Sequence, residues 1–398
     1  MKVLIIHNEY RIPGGEDVVA DREAELLRSR GHHVTRYTRS NAEHDDDGLL
    51  GRAVTPIQAV WSRRAHAELT ELLRADRPDV VHVHNTHLVI SPAALHACDA
   101  AGVPVVQSLH NPRLICPAAT FFRNDEVCTD CLGKRFAYPG IVHACYRGSR
   151  LQTAMAAAVS SIHRGLKTWR DRVDLYVTFT DFYRDLFVGF GLPAEKIVVK
   201  PHFVAPDPGA AAAVDDGYVL FVGRLQPEKG VETLLEAWRT LPDVPLKVCG
   251  TGPLDGSLTA AIAAGRLGDV ELLGQQDRAE VFRLIKGARL VVWPSLGYSE
   301  TFGLVAIEAY ACGRPVIASR VGVMAEIVED GVTGLHFAAG DPVDLAAKVR
   351  WAVDHPAELQ RMGSTARERF EQRYTADANY GMLMDVYERA GHSRRATA

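Results

Sequence analysis

Two carboxylates, Glu300 and Glu308, stand eight positions apart in Glu300-Thr-Phe-Gly-Leu-Val-Ala-Ile-Glu308. From Leu304 to Cys312 the pattern is helical, and Glu308 is its only charge. A helix apolar on nearly every face is expected to be buried, and a buried carboxylate is costly unless something hydrogen-bonds it. A vicinal diol would satisfy Glu308, and so would a salt bridge to Arg or Lys. The helix opens on Phe302, Gly303, Leu304 and Val305. Their backbone amides, at the positive end of the dipole, suit a diphosphate, and Gly303 permits close approach of the backbone. Upstream, Val222-Gly-Arg-Leu-Gln-Pro-Glu-Lys-Gly230 places Gly223, Arg224 and Lys229 on one strand-to-helix loop. Arg224 as a fork and Lys229 as a point charge could clamp phosphate oxygens, although a solvated turn is the common fate of such residues.

The first half carries weaker signals. Gly14-Gly15, after the first strand, is either a turn or a place where backbone meets ligand. His110 follows the strand Val103 to Ser108, and with sixteen histidines in the chain its position carries more than its identity. Val81-His-Val-His-Asn85 competes with it, because its residues could equally be packed at a strand end. Asp45-Asp-Asp47 lies in a polar stretch, reads as a solvated loop, and is assigned no metal role.

Cys116, Cys128, Cys131 and Cys145 form C-x11-C-x2-C-x13-C among turn residues. Four thiolates with one tight pair can surround zinc tetrahedrally and fold a loop too small for its own core. Structural zinc is the expectation, with a Cys128–Cys131 disulfide or free thiols as rivals. After the cluster, Tyr146 to Val173 is helical in pattern. It carries Arg147, Arg150, Arg164, Lys167, Arg170 and Arg172 against Asp171 alone, a face for an anionic acceptor or membrane surface, or simply a solvated one.

Positioning these residues requires strands, and β-branched runs alternate with helical patterns throughout. Lys2–His7, Val34–Tyr37, Val80–His84, Val103–Ser108, Leu175–Thr180 and Ile197–Lys200 form one set. Tyr218–Val222, Leu246–Gly250, Val270–Leu273, Leu290–Trp293, Val316–Ala318 and Leu335–Phe337 form a second. Such alternation predicts an α/β chain of two Rossmann-like, doubly wound parallel-sheet domains, with ligand loops at the carboxyl ends of strands and a cleft between the domains. The expected division is an N-terminal domain over 1–205 with a cysteine-rich insertion at about 112–148, a linker at 206–213, and a second domain over 214–370. A helix over 371–390 is expected to pack back on the first domain, and 391–398 to form a flexible tail.

At 398 residues with 47% hydrophobic and 24% charged residues, the chain is ordinary globular material for two cores. A net charge of −4 gives no global attraction to nucleic acid or anionic lipid, so nucleic acid is not an expected partner. The amino terminus is too short and polar for a signal peptide, and no apolar run approaches a membrane span, so the chain reads as cytoplasmic.

Glu300-Thr-Phe-Gly-Leu-Val-Ala-Ile-Glu308 is followed by Ala311-Cys-Gly-Arg-Pro-Val-Ile-Ala318 and Glu329-Asp-Gly-Val-Thr-Gly334, and preceded by Gly223-Arg224, Lys229-Gly230 and Gly250-Thr-Gly252. This layout resembles the family-four retaining glycosyltransferases of GT-B fold. The resemblance implies a nucleoside diphosphate sugar as donor and a hydroxyl acceptor that is a small molecule, a glycan or a lipid-linked sugar. It implies that Glu300 contacts the transferred sugar, that Glu308 binds the ribose, and that Arg224 and Lys229 neutralise the leaving diphosphate. Gly223, Gly250, Gly252 and Phe302 to Val305 complete the donor side. Gly14 and Gly15 match a family glycine pair near donor phosphates and acceptor, and His110 matches the histidine beside the sugar. Retention by front-face displacement is implied, with no catalytic metal. Thr301 departs from the family, where many members carry Pro, without an expected loss of activity. An epimerase of the same fold, a phosphorylase or a non-catalytic zinc-bearing module are the rival functions. Many family members have a similar cysteine-bearing insertion.

Overall fold

The computed structural model describes every residue except 12–13, 45–56, 213, 266 and 398, so Asp45-Asp-Asp47 lies outside the described residues. The chain folds as two compact units. One comprises Met1–Thr120, Thr129–Lys200 and Tyr380–Ala398, and the other Phe121–Cys128 and Pro201–Asn379.

The strands run in chain order β1 (Lys2–Glu9), β2 (His33–Ser40), β3 (Val80–Asn85), β4 (Val105–Ser108), a short hairpin of β5 (Phe122–Arg123) and β6 (Glu126–Val127), β7 (Leu175–Thr178) and β8 (Ile197–Val199). They continue as β9 (Tyr218–Val222), β10 (Leu246–Cys249), β11 (Val270–Gly274), β12 (Ala288–Trp293), β13 (Val316–Ser319) and β14 (Gly334–Phe337). The first unit holds a sheet of order β2-β1-β3-β4-β7-β8 and the second one of order β11-β10-β9-β12-β13-β14, parallel throughout. These are the doubly wound sheets that the alternating pattern predicts. Each of the twelve β-rich runs read from the sequence becomes a strand, because parallel strands are covered on both faces and read as near-continuous Val, Ile and Leu.

In each sheet the strand order reverses once, between β1 and β3 in the first and between β9 and β12 in the second. Loops leaving the carboxyl ends of these strands diverge there, which makes the switch point a natural ligand crevice. The second sheet is held beneath its switch point by Val219, Phe221, Leu234, Trp238, Val248, Leu290, Val292 and Ile317, all buried. Trp238 also donates from Nε1 to the Val244 carbonyl at 2.9 Å, so its one polar atom is satisfied inside the core.

Three expected boundaries shift. The segment read as a linker, 206–213, falls within the longer segment of the second unit, Pro201–Asn379. Its prolines and Gly209 exclude regular structure, and side chains use its carbonyls instead: Lys286 bonds Pro208 O and Arg314 bonds Ala212 O, while Ala211 N reaches Cys312 O. The last helix runs Ala376–Thr397, so the residues expected to fray continue it. Arg394 ties its end down through two bonds of 2.6 Å to the Asp99 carboxylate and carbonyl. Finally, the hairpin β5–β6 falls within the second unit although it lies inside the first half of the sequence. No helix among the described residues is long and apolar enough to cross a membrane.

Candidate active site

At the second unit's switch point the loop after β9 meets the loop after β12. Gly230, at φ 70°, is pressed so closely on this second loop that a Cβ would lie 1.9 Å from the Pro294 carbonyl oxygen. Leu296 N bonds Glu228 O at 2.9 Å beside it. The register so fixed carries Lys229 onto Glu300, Nζ to Oε1 at 2.6 Å. The same oxygen accepts from Ser295 Oγ at 2.7 Å and from Trp293 Nε1 at 3.2 Å. Burial pushes the Glu300 carboxyl up, but the Lys229 ammonium and the hydrogen bonds from Lys229, Ser295 and Trp293 outweigh it and hold the group below the usual carboxylate range. Ser295 and Trp293 were not singled out from sequence, although both sit in the strand-to-loop stretch that leads to Glu300.

Trp293 has a second task. Gly303, at φ 95°, caps the helix Leu304–Ala311 and lies against the indole, 2.0 Å from where its Cβ would be. The first helical bond runs from Ala306 N to Gly303 O at 3.1 Å, which leaves the amides of Gly303, Leu304 and Val305 ahead of the ladder at the positive end of the helix. The helix is not apolar and buried all round, as its composition suggests. Leu304, Val305 and Glu308 share a half-buried stripe while Ala306, Ile307, Ala309, Tyr310 and Ala311 are buried. Glu308 therefore sits on the open face, one turn from the amides. Phe302 points the other way, its ring packed edge-on against His202 at 5.0 Å and Tyr374 at 6.1 Å, so only its backbone remains for a ligand.

The remaining second-half residues pack backbone on backbone. A Cβ on Gly250, at φ 142°, would fall 1.9 Å from Gly223 O, and one on Gly252 2.4 Å from Leu225 O. Gly223 N and Leu225 N bond Cys249 O and Thr251 O, each at 3.0 Å. This pairing of the loops after β9 and β10 leaves Arg224 exposed, with no side-chain partner among the described residues.

In the first unit, Gly14 caps the helix Gly15–Ser29 with an extended backbone, and its amide bonds Asp17 Oδ2 at 2.6 Å. Asp17 Oδ1 meets His7 Nε2 at 2.8 Å. Neither glycine has a positive φ, and a Cβ would find nothing nearer than 3.7 Å at Gly14 and nothing within 4 Å at Gly15. The fold itself does not require glycine here. His110 is buried just past β4, its Nε2 3.0 Å from His84 Nδ1, and it lines a cavity with His84, Gln107, Asn111 and Arg113. His82 and His84, two apart on β3, face Glu23 from the helix Gly15–Ser29, and Glu23 accepts from Lys200 Nζ at 2.5 Å. Burial pushes His82 down to about 4 and holds His84, His87 and His110 well below the ordinary histidine range. The histidine pair of β3 was legible as a constellation. Glu23 and Lys200 were not, because each looks like an ordinary surface charge in its own segment.

The zinc expectation is corrected. Cys116, Cys131 and Cys145, three of its four sulfurs, do not gather, and no disulfide is formed by the four cysteines. Among the described residues the one group of three or more His, Cys, Asp or Glu ligand atoms within 4.8 Å of one another is Glu23, His82 and His84. The physical reason is visible at Cys128, whose amide closes the β5–β6 hairpin on Phe121 O at 2.8 Å. Backbone pairing across the Asn124-Asp125 turn closes that hairpin.

A strand-order reversal with an ion-paired lysine and glutamate, beside the open amides of a helix, defines a ligand site in a doubly wound unit. A model of the glycosyl transferases group 1 matches residues 208–369, and one of a glycosyl transferase 4-like domain matches residues 14–202. D-inositol 3-phosphate glycosyltransferase of Mycolicibacterium smegmatis is 32% identical over 413 residues, covering 96% of this chain and 89% of that protein. Glycogen synthase of Mycobacterium tuberculosis is 31% identical over 314 residues, 77% of this chain and 67% of that one. Among solved structures, HepE of Anabaena in complex with UDP-glucose superposes with a TM-score of 0.67 at 18% identity, covering 98% of this chain and 99% of that one. Sucrose-phosphate synthase of Thermosynechococcus elongatus does so with 0.69 at 19%, covering 97% and 98%. Those structures give the fold, which is GT-B. The chain belongs to the group 1 glycosyltransferases and is an enzyme of that class.

Proposed function

We propose that this enzyme transfers a sugar from a nucleoside diphosphate sugar to a hydroxyl acceptor with retention of anomeric configuration. The observation that carries the reading is the convergence of Lys229, Glu300 and the amides of Gly303 to Val305 at one strand-order reversal. Lys229 has three donors, so it can hold Glu300 and a phosphate oxygen together. Arg224, exposed nearby on the same loop, supplies a fork for the diphosphate. Glu308, on the open face of the helix, takes the ribose diol, and Glu300 takes the transferred sugar, with His110 beside that sugar. In the step, the bond from the anomeric carbon to the diphosphate oxygen breaks and the acceptor oxygen bonds to the same face. The acceptor proton passes to the leaving phosphate oxygen. No side-chain nucleophile is needed, and catalysis rests on position and charge. UDP is the first donor nucleotide to try, because HepE binds it.

The test is acceptor-dependent release of nucleoside diphosphate, with the product anomer read by proton NMR. Donor isomerised without release would make the enzyme an epimerase, and an inverted product would overturn retention. Thermal-shift screening of nucleotide sugars names the donor first, since a ligand at 100 times its Kd adds about 2.7 kcal/mol.

A peripheral membrane contact in the first unit is a second reading. Phe136, Tyr138, Val142, Leu151, Ile162 and Leu166 are exposed within one stretch that also carries Lys134, Arg135, Arg147, Arg150, Lys167 and Arg170. Arg164 and Arg172 are not available to it, one bonding Lys134 O and Phe190 O and the other pairing with Asp99. Cosedimentation with anionic but not zwitterionic vesicles is the expected outcome, and equal failure with both would remove the reading.

A further inference from the structure

Within the first unit, Glu23, Lys200, His82, His84 and His110 are buried together. Both nitrogens of His82 are engaged, Nε2 with Ser108 Oγ and Nδ1 with Tyr387 Oη, each at 2.9 Å. Two atoms are left making no hydrogen bond, Glu23 Oε2 and His84 Nε2, and they face each other at 3.3 Å. The spacing of Glu23, His82 and His84 would accept a metal ion. Charge argues against one. Lys200 already neutralises Glu23, so a dication would leave two uncompensated charges in a site where burial keeps the imidazoles neutral. What the group can hold is a proton, and its place follows from counting.

Glu23 is a carboxylate: burial raises it, but Lys200 and His82 outweigh burial and hold it below its ordinary value. An ionised carboxylate only accepts. His84, neutral through burial, has one proton to place. On Nδ1 that proton would turn a ring lone pair toward the carboxylate lone pairs at 3.3 Å, a repulsion that burial strengthens. On Nε2 it lies on the side of the anionic Glu23 Oε2, a charge–dipole attraction although the two atoms are not aligned for a hydrogen bond. Nδ1 of His84 is then an acceptor, and the group 3.0 Å from it, His110 Nε2, must be the donor.

We propose that Glu23 is a positioning residue that acts through His84 to fix His110 in the Nε2–H tautomer, so that His110 offers Nδ1 as an acceptor to a donor hydroxyl. The ligand half of this statement rests on the reading of His110 beside the transferred sugar, whereas the tautomer does not. A sugar hydroxyl held in this way must donate, which selects its orientation as well as its place.

The experiment is nitrogen-15 NMR of the full chain labelled at histidine, with His110 assigned as the resonance lost in His110→Ala. The expected spectrum has a protonated, pyrrole-like Nε2 and a pyridine-like Nδ1 at His110, and the reverse pattern overturns the proposal. Glu23→Gln sharpens the test, because its amide oxygen can keep Lys200 while the NH2 group donates to His84 Nε2. The proton of His84 then moves to Nδ1 and the tautomer of His110 inverts. Alongside, kcat is expected to fall about tenfold, with donor KM changed less than about twofold. Glu23→Asp, which keeps the carboxylate, should retain the wild-type tautomer. An unchanged His110 tautomer in Glu23→Gln overturns the proposal. If Glu23→Gln does not fold, the wild-type spectrum still decides. Should the tautomer invert as stated while His110→Ala keeps full activity, Glu23 still sets the tautomer and the reading of His110 beside the sugar is what fails.

Discussion

Lys229 and Glu300 are each a condition of the other's position. The lysine ammonium lies 2.6 Å from a carboxylate oxygen that Ser295 and Trp293 also serve, so removing the lysine leaves a largely buried carboxylate with two weaker donors. Lys229→Ala and Glu300→Gln are each expected to lower kcat about a hundredfold, the usual size for one preorganised charge at a transferring group. Because the two residues act on one geometry, the double variant should fall by clearly less than the product of the two, and full additivity would show that they work independently. The pair also has a pH signature. The Glu300 carboxyl is held below its ordinary value in the folded chain, so its stabilisation is complete above the ordinary carboxylate value of about 4.3 and is lost as pH falls through the folded value. In Lys229→Met that acid sensitivity should diminish, as read by urea denaturation of both chains between about pH 3 and 6.

At the scale of elements, glycines separate structural demand from functional demand. Gly230 lies at φ 70° with Pro294 O where its Cβ would go, so Gly230→Ala combines left-handed strain with a backbone clash that must pry apart the loops after β9 and β12. A loss of about 2–4 kcal/mol in urea denaturation is expected, with donor binding lost along with the Lys229–Glu300 contact. Gly15 makes the opposite case. Its surroundings are open and its φ is not positive, so Gly15→Ala should change stability by less than about 0.5 kcal/mol. Activity should nevertheless fall if a ligand occupies the space, and unchanged activity would remove Gly15 from the site.

The same scale shows what the sequence makes legible. Strands buried on both faces announce themselves by composition, and the loop after β12 does so by its unusual residues. The β5–β6 hairpin does not, since two residues per strand carry no period. Only its turn is visible, in Asn124 and Asp125, both of which adopt positive φ. Cysteine spacing misleads there because four thiols in one stretch of chain need not share one point in space. Glu23 and Lys200 are 177 positions apart, and three strands stand between β1 and β8 in the sheet, so their meeting is a tertiary contact that no local pattern carries.

For the molecule as a whole, the two units differ in what they bury. The first buries His82, His84, His110 and His163 and half-buries His87 and His96, all displaced below the ordinary histidine range with burial as the leading cause, and His82 to about 4. In the second unit's sheet and donor loops the corresponding acid-sensitive group is the Glu300 carboxyl, whose ordinary value is some two units lower than that of histidine. Below the ordinary histidine value of about 6.5 the unfolded imidazoles take up protons that the folded ones refuse. The stabilisation from these groups is therefore complete above that value and is lost as pH falls toward their folded values, at about 1.4 kcal/mol per unit of displacement for each group. The first unit should accordingly open before the second on acidification. Hydrogen exchange followed by mass spectrometry at pH 7, 5.5 and 4.5 would read this directly, after correction for the intrinsic pH dependence of exchange. Peptides from β3 and β4 should lose protection by pH 4.5 while those from β9 and β12 keep theirs. Loss in the reverse order, or simultaneous loss in both sheets, would mean that buried histidines do not set the acid limit of this enzyme.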